Sequence, residues 1–349
     1  MAGIERFDFR HRFNLSIIPR ASDPNLNMNV LITGANGFVG TALARRLLSD
    51  PSRLPAGFGP IGRLTLVDMG FEGAEVPRVR RLSGSIADPA LLARAFDTPV
   101  DIVFHLASIP GGAAELNYEL SRQVNVDATI RLLEVARTQA TGSAKPAVFV
   151  FASSIAVLGA PLPAQVDDST PPQPKLTYGA QKLIGEILLS DFTRRGWVDA
   201  RSVRLPGIIA RPPQKTGQLS AFLSDIIREL AEGRRYTCPV SADSTSWLMS
   251  LPCIVDNLLQ AAVLPASVCN AARVWTLPAL CPSMTELVQA VADVYGPDVL
   301  GRVSYSSNPA LEANFGRYPP LFTPAAEAVG FRHDGDLPTL VRRALLPPV

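Results

Sequence analysis

The arrangement of apolar residues from Asn29 onward most strongly limits the fold of this chain. Short runs rich in β-branched residues alternate with segments of helical periodicity, which suits strands that return to one end of a sheet through helical crossovers. The pattern predicts an α/β fold in which helices cover both faces of a doubly wound parallel sheet. The predicted strands are 30–33, 64–67, 79–82, 102–105, 147–152 and 200–205, and the helices between them include 89–96, 124–137 and 178–195.

After Leu205 the alternation becomes irregular, which predicts a second, smaller unit. We predict a sheet domain over 29–205 with a return segment near 247–265, and a substrate-binding lobe formed by 206–246 and 266–349. Such a lobe would cover the carboxyl edge of the sheet, where open α/β folds bind their ligands. Its predicted helices are 219–231, 254–264, 284–294 and 337–345.

Residues 1–28 differ from the remainder and are predicted to form an N-terminal extension. Arginines alternate with aromatic residues there, and no apolar central region of a secretory signal is present. Three interpretations stay open: a targeting arm, an ordered flap, or an upstream start of translation, since Met28 opens the first predicted strand.

Composition excludes several classes of protein. Of the 349 residues, 47% are hydrophobic and 18% charged, which excludes a disordered chain, and no apolar run is long enough to cross a membrane. A net charge of +2 predicts neither a nucleic-acid partner nor a charged membrane partner, and leaves a small-molecule ligand. No spacing of the four cysteines and three histidines suits a metal, so reduced thiols and a cytoplasmic location are expected.

A glycine-rich segment follows the first predicted strand and opens a helix. It reads Thr-Gly-Ala-Asn-Gly-Phe-Val-Gly over 33–40. The first glycine permits a tight turn, the second lets a pyrophosphate approach the backbone, and the third lets the helix pack closely on the sheet, as in Rossmann dinucleotide sites. The cofactor-binding residues predicted here are Gly34, Asn36, Gly37, Phe38, Val39 and Gly40.

Asp68 ends the second predicted strand, 28 residues beyond Gly40. A carboxylate there can accept hydrogen bonds from both hydroxyls of an adenosine ribose and would repel a 2′-phosphate. The nearest following base is Arg78, which is ten residues on. The predicted cofactor is therefore NAD.

Tyr178 and Lys182 form a YxxxK motif, and Ser154 stands 24 residues before the tyrosine at a predicted strand end. Positions i and i+4 of a helix share a face, so both side chains can enter one cleft. A nearby ammonium stabilises a phenolate and lowers the phenol's pKa, which makes the phenol a competent base. The serine would hydrogen-bond the reacting oxygen. These three residues are the predicted catalytic centre.

Further residues are predicted around the ligands. The fourth predicted strand ends at His105, which is expected to be packed and structural, and Asn125 is expected to brace the sheet near the site. The substrate-contacting residues are predicted to be Ser108, Ser154, Tyr178 and Trp247. The remaining cofactor-binding predictions are Ser85, Ile86, Leu106, Ala107, Ser108, Asn125, Tyr178, Lys182, Pro206 and Ile208.

Together these motifs resemble the extended short-chain dehydrogenase/reductase family, from Asn29 to the C-terminus. The matching stretches include TGANGFVG, FHLAS, FASSIAVLG, YGAQK and RLPGIIARP, and several of them are similar to the D-erythronate dehydrogenase group. The resemblance implies that Tyr178 accepts a proton, Lys182 binds ribose and tunes the tyrosine, and Ser154 positions the substrate. It further implies NAD-dependent oxidation of the C2 hydroxyl of a small sugar acid, and a homodimer formed through the helices at 124–137 and 178–195.

Two departures keep other functions open. Thr245 and Cys253 stand where the erythronate group tends to carry arginines, so a dehydrogenase of a neutral or less polar alcohol is an alternative. Ser85 stands where the superfamily usually carries an acidic residue beside the adenine. A nucleotide-sugar epimerase with tightly bound NAD is a further alternative, although Ile155 and Ala156 follow Ser154 where a dehydratase would carry an acid. An intact Ser-Tyr-Lys set argues against a mere sensor of NAD.

Overall fold

A computed structural model describes residues 27–49, 52, 54–73, 76–142, 145–212 and 220–345 of the chain. Residues 1–26 of the predicted N-terminal extension lie outside the described residues. So does the first residue of the helix predicted at 219–231.

Seven parallel strands form the central sheet, and the six strands predicted from the sequence are all among them. The chain builds one half outward from the centre and then returns to build the other, so the strand order reverses between the first and fourth strands. A crevice opens at such a point, beyond the carboxyl ends of the strands. Numbered in chain order, the strands run from edge to edge as β10 (Val274–Thr276), β6 (Asp199–Leu205), β5 (Val148–Ser154), β4 (Ile102–His105), β1 (Met28–Thr33), β2 (Ile61–Asp68) and β3 (Val79–Ser83).

Helices cover both faces of this sheet, as predicted. On one face α1 (Phe38–Leu48) and α8 (Leu251–Val263) share a core with the central strands. On the other face α2 (Pro89–Ala95), α5 (Ala128–Thr141) and α6 (Thr177–Arg194) share a second core. The helix expected at 124–137 begins with a short π-helical segment before α5. The fold class is therefore confirmed as α/β with a doubly wound parallel sheet.

A third core lies in the C-terminal half and is built from α7 (Phe222–Ala231), α9 (Met284–Tyr295) and α12 (Leu337–Leu345). The start of α9 is well defined because Ser283 and Glu286 form a reciprocal capping box. This half also contains two short parallel pairs: β7 (Gly207–Ile209) with β9 (Leu248–Ser250), and β8 (Tyr236–Cys238) with β11 (Val303–Tyr305). The short helices are α3 (Gly111–Leu116), α4 (Tyr118–Arg122), α10 (Pro309–Phe315) and α11 (Pro324–Ala328).

Among the described residues, every helix is too short or too polar to cross a bilayer. All four cysteines fall within the described part of the chain and are free thiols.

Candidate active site

A cavity of about 440 Å³ opens at the carboxyl edge of the sheet, where the strand order reverses. One wall comes from the glycine-rich turn, the ends of β4, β5 and β6, and the first turns of α6. The opposite wall comes from the C-terminal half. Twelve of the predicted site residues line this cavity: Gly34, Gly37, Phe38, Val39, Gly40, Leu106, Ser108, Ser154, Tyr178, Lys182, Pro206 and Ile208.

The glycine-rich turn has the geometry of a phosphate cradle. Gly34 adopts φ +71°, and a Cβ added there would lie 2.6 Å from the Ala107 nitrogen, so only glycine fits. At the other end, a Cβ on Gly40 would lie 2.1 Å from the Gly34 carbonyl oxygen. No side chain caps the N-terminus of α1, and no acidic residue stands in its first turn. Its free N–H groups and positive dipole end therefore suit an anionic phosphate.

Asp68 lies beside this turn rather than on the cavity surface. Its carboxylate accepts hydrogen bonds from the backbone N–H of Asn36 at 2.8 Å and of Met69 at 2.7 Å. The Asn36 amide donates to the Gly70 carbonyl at 3.0 Å. Asp68 thus holds the glycine-rich turn against the end of β2 and keeps further oxygen lone pairs for a ribose hydroxyl.

Four other predicted cofactor residues also lie off the cavity surface, at its edges. Ser85 accepts a hydrogen bond from the Ala87 backbone, and Ile86 is buried in the second core, both just after β3. Ala107 contacts the turn at Gly34 from behind. Asn125 clamps the loop after β4, since its amide exchanges two hydrogen bonds with the Ile109 backbone at 2.7 and 3.0 Å. Asn125 therefore braces the loop after β4 and does not line the cavity.

Tyr178 and Lys182 share one face of α6, as their spacing predicts. The ammonium nitrogen of Lys182 lies 5.5 Å from the Tyr178 ring centroid and 4.8 Å from that of Phe151. It donates to the Ala152 carbonyl at 2.7 Å. The lysine is buried and held behind the tyrosine, whose ring faces the cavity together with Ser154.

The electrostatics of Tyr178 differ from the simple expectation. Burial raises the pKa of its phenol, and this outweighs the lowering by a hydrogen bond with Ser108, the charge of Arg211 and a hydrogen bond with Ser154. Burial also lowers the pKa of Lys182 to about 7, which Glu186 opposes. The lysine is thus no permanent cation at neutral pH, because desolvation disfavours its charged form.

Glu186 supports this lysine one turn further along α6. The carboxylate is buried, accepts a hydrogen bond from Ser153 at 2.5 Å, and accepts two from Arg204 at 2.9 and 2.8 Å. The same carboxylate favours the ammonium form of Lys182. Glu186 thus connects Lys182 to Arg204 of β6. Sequence reasoning missed it, although its i+4 spacing from Lys182 is visible.

His105 is a packed histidine, as expected. Its two ring nitrogens contact the hydroxyls of Thr33 at 2.7 Å and Thr129 at 2.9 Å. Burial, with a smaller contribution from the charge of Lys182, lowers its pKa to about 3. The ring is therefore neutral under ordinary conditions and joins β1, β4 and α5.

The prediction that Trp247 contacts substrate needs correction. Its side chain is fully buried, donates to the Pro319 carbonyl at 2.7 Å, and stacks on Tyr318 at a centroid distance of 4.9 Å. Tyr318, and not the tryptophan, lines the cavity. A ring with no exposed surface can act on substrate only through the tyrosine in front of it.

Thr245 and Cys253, the positions at which arginine was expected, likewise lie off the cavity. Thr245 donates to the Tyr318 carbonyl at 2.7 Å, and Cys253 is buried in α8 with its thiol against the Arg332 carbonyl. Neither side chain therefore reaches a substrate carboxylate in the cavity. A different arginine does face the cavity: Arg211, two residues beyond β7.

Sequence reasoning missed most of the cavity wall from the C-terminal half. Asn314 and Phe315 of α10, together with Ser246 and Tyr318, reach the cavity from segments far apart in the chain. No periodicity or spacing marks them. Arg211 alone had a sequence cue, because it lies within the RLPGIIARP stretch.

The described residues fit NAD. Glycines stand where a side chain would collide, an uncapped helix end faces the cavity, and a carboxylate lies at the second strand end. The cradle for the phosphates is formed by the protein backbone itself.

A seven-stranded sheet with this glycine-rich turn and a YxxxK helix defines a nucleotide-dependent enzyme of the Rossmann type. Residues 30–248 match the NAD dependent epimerase/dehydratase family, and the chain belongs to that family. It is thus an NAD-dependent enzyme of the short-chain dehydrogenase/reductase type.

Individual proteins and solved structures similar to this chain include dehydrogenases and an epimerase. A D-erythronate dehydrogenase of Cupriavidus necator is 39% identical over 318 residues, which is 90% of this chain and 97% of that protein. A D-erythronate dehydrogenase of Haemophilus influenzae is 32% identical, covering 90% of this chain and 98% of that protein. Among solved structures, a nucleoside-diphosphate-sugar epimerase from Agrobacterium tumefaciens is 29% identical with a TM-score of 0.84, covering 90% of this chain and 92% of that one.

Proposed function

We propose that this enzyme oxidises the C2 hydroxyl of D-erythronate, or of a close four-carbon sugar acid, to the 2-oxo acid with NAD as oxidant. The observation that carries the proposal is Tyr178 facing the cavity between Ser108 and Ser154, with Lys182 buried behind it. Two relatives that span nearly the whole chain, both named D-erythronate dehydrogenases, support the substrate.

In this mechanism the Tyr178 oxygen takes the proton of the substrate hydroxyl. Ser154, fixed by a hydrogen bond of 3.1 Å from the Ala156 backbone N–H to its oxygen, uses its own O–H to orient the substrate oxygen. The glycine-rich turn and Asp68 would hold NAD, which when bound would supply the hydride-accepting ring and a positive charge. Lys182 adds charge to the same region when it is protonated, and both charges favour the phenolate over the buried phenol.

The activity is tested by NADH absorbance with purified protein, NAD and a panel of four-carbon sugar acids, uronates, neutral polyols and apolar secondary alcohols. We expect D-erythronate to give the highest kcat/KM. Turnover confined to neutral or apolar alcohols would keep the dehydrogenase and overturn the sugar-acid substrate.

A nucleotide-sugar epimerase is the second candidate, favoured by the structural similarity to the Agrobacterium protein of that name. It would retain NAD tightly through purification and interconvert sugar nucleotides with no net NADH. Finding neither retained NAD nor epimerised product after incubation with UDP-glucose would remove it.

We further propose that the enzyme is a cytoplasmic homodimer. Ile130 of α5 and Ile184 and Ile187 of α6 are exposed large apolar side chains on helices beside one another in the second core. Covering them against a second copy would remove this surface from water. Light scattering should report a dimer, and the triple change of these residues to serine should give a monomer.

A further inference from the structure

The cavity has an unbalanced charge. Among the described residues, three basic side chains line it (Lys175, Lys182 and Arg211) and no aspartate or glutamate does, although burial leaves Lys182 only partly charged at neutral pH. A cationic cavity with no built-in counter-charge favours an anionic ligand. The phosphates of NAD at the glycine-rich turn would balance part of this positive charge. Each of the three basic residues is therefore a candidate to bind the remaining anion.

The three cations are not equivalent. Lys182 is committed to the Ala152 carbonyl and lies behind Tyr178. Lys175 is exposed, so water screens its charge. Arg211 is partly buried in the cavity wall, and burial lowers its pKa while the Tyr178 phenol raises it. Arg211 is therefore the cation whose charge acts directly on the catalytic tyrosine.

The position of Arg211 is fixed from two sides. Its backbone carbonyl accepts a hydrogen bond from Arg228 of α7 at 2.6 Å. Its guanidinium carbon lies 5.5 Å from the centroid of the Phe38 ring, at the start of α1. A guanidinium that packs against an aromatic ring and lines the same cavity as Tyr178 is pre-organised, so less rotamer freedom is lost on binding.

From this geometry we infer that Arg211 is the specificity-determining residue that binds the carboxylate of a 2-hydroxy acid while its C2 hydroxyl faces Tyr178. The inference rests on the proposed function. In a 2-hydroxy acid the carboxylate and the reacting hydroxyl are attached to adjacent carbons. A planar guanidinium that lines the same cavity as the phenol can therefore hold the carboxylate in a bidentate pair while the hydroxyl reaches the catalytic oxygen. In this chain Arg211 would take the carboxylate-binding role for which the family resemblance led us to expect arginines at positions 245 and 253.

The test uses binding, so that it does not depend on turnover. The full-length enzyme is saturated with NADH, and D-erythronate is titrated into this complex by calorimetry, with neutral erythritol as the probe that lacks the carboxylate. Arg211→Gln should weaken D-erythronate binding roughly 30- to 100-fold and leave erythritol unchanged, because a lost charged hydrogen-bond pair has about this effect. Arg211→Lys should fall between, since it keeps the charge and loses the fork.

Two controls accompany these variants. Arg235→Gln removes an exposed arginine outside the cavity and should leave D-erythronate binding unchanged. NADH affinity, measured for every variant, should stay within about twofold of wild type and also reports that each variant is folded. Equal weakening of D-erythronate and erythritol, or a parallel loss of NADH affinity, would overturn the inference; the second result would assign Arg211 to the cofactor phosphates.

Failure of the proposed function gives a different result. L-threonate and glycerate are titrated alongside D-erythronate. If wild type binds one of them in an Arg211-dependent way but neither binds nor oxidises D-erythronate, the carboxylate inference holds and the D-erythronate proposal falls. If the NADH complex binds no carboxylate probe, both fall.

Discussion

The two walls of the cavity are built in different ways. The sheet-edge wall comes from residues within four short segments, 34–40, 106–108, 152–156 and 178–182, at strand ends or at the start of a helix. The lobe wall comes from Arg211, from Ser246 and from Phe315 with Tyr318, side chains of three segments that long stretches of chain separate. The first wall carries chemistry shared by many substrates, and the second faces the part of the substrate that differs. Variants in the first should change turnover or cofactor binding, and variants in the second should change substrate binding.

The largest effect is expected for Tyr178→Phe. The change removes only the phenolic oxygen, so the loss of a general base should lower kcat roughly 10²- to 10⁴-fold while NAD affinity changes little. NADH absorbance and NAD titration by protein fluorescence measure the two quantities. Tyr118→Phe is the matched control, because Tyr118 is 56% exposed and lies outside the cavity. Wild-type turnover in Tyr178→Phe would contradict the mechanism, because the sheet-edge wall would then not supply the catalytic base.

Gly34→Ala tests the backbone of the same wall. Both Gly34 and Gly57 have positive φ, but a Cβ would meet the Ala107 nitrogen at 2.6 Å in the first and nothing within 4 Å in the second. Gly57→Ala should cost about 1–2 kcal/mol of unfolding free energy from φ alone, and Gly34→Ala clearly more, with weaker NAD binding. Urea unfolding and NAD titration measure these effects. Equal costs for the two variants would mean that the turn tolerates a side chain.

Lowering the pH should reduce the free energy of unfolding through His105, which lies in the sheet beneath this wall. Its folded pKa of about 3 lies below the ordinary histidine value of 6.5, so the unfolded chain binds the proton first as pH falls. The stability from this group is complete above about pH 6.5 and is lost as pH falls toward 3, by at most about 1.4 kcal/mol per pH unit. His105→Gln cannot take up that proton, so its unfolding free energy should fall less between pH 7 and 4. Parallel curves for the two proteins would contradict the prediction.

The smallest effect is expected behind the lobe wall, from Trp247→Phe. Losing the indole hydrogen bond to Pro319 and part of the stacking on Tyr318 should cost about 1–2 kcal/mol of stability and raise the substrate KM a few-fold, with kcat nearly unchanged. Trp197→Phe is the control, because Trp197 packs on Phe192 away from the cavity. A fall in kcat with constant KM would contradict the division of labour between the walls.

Local patterns predicted most of the sheet-edge wall. Gly34, Tyr178 and Lys182 lie where their spacing indicated, because a strand end, a tight turn and one face of a helix are decided by neighbours in the chain. The six strands were visible for the same reason. The edge strand β10 was missed, since its three residues join the sheet only after the chain has returned from the lobe.

Charge balance and burial were less predictable. Tyr178 was expected to have a lowered pKa from its lysine, yet burial dominates and raises it. Trp247 was expected at the substrate and is enclosed behind Tyr318. Desolvation depends on every segment that packs around a group, so no motif reports it.

The sequence by itself determined the class of fold, the cofactor turn and the placement of Tyr178 and Lys182 on one helical face, because each depends on interactions within a few turns of chain. Only the tertiary structure decided that Arg211, and neither Thr245 nor Cys253, faces the cavity. Its contact with Phe38 joins segments far apart in sequence and forms only when the lobe packs over the sheet, whereas its contact with Arg228 lies within the lobe.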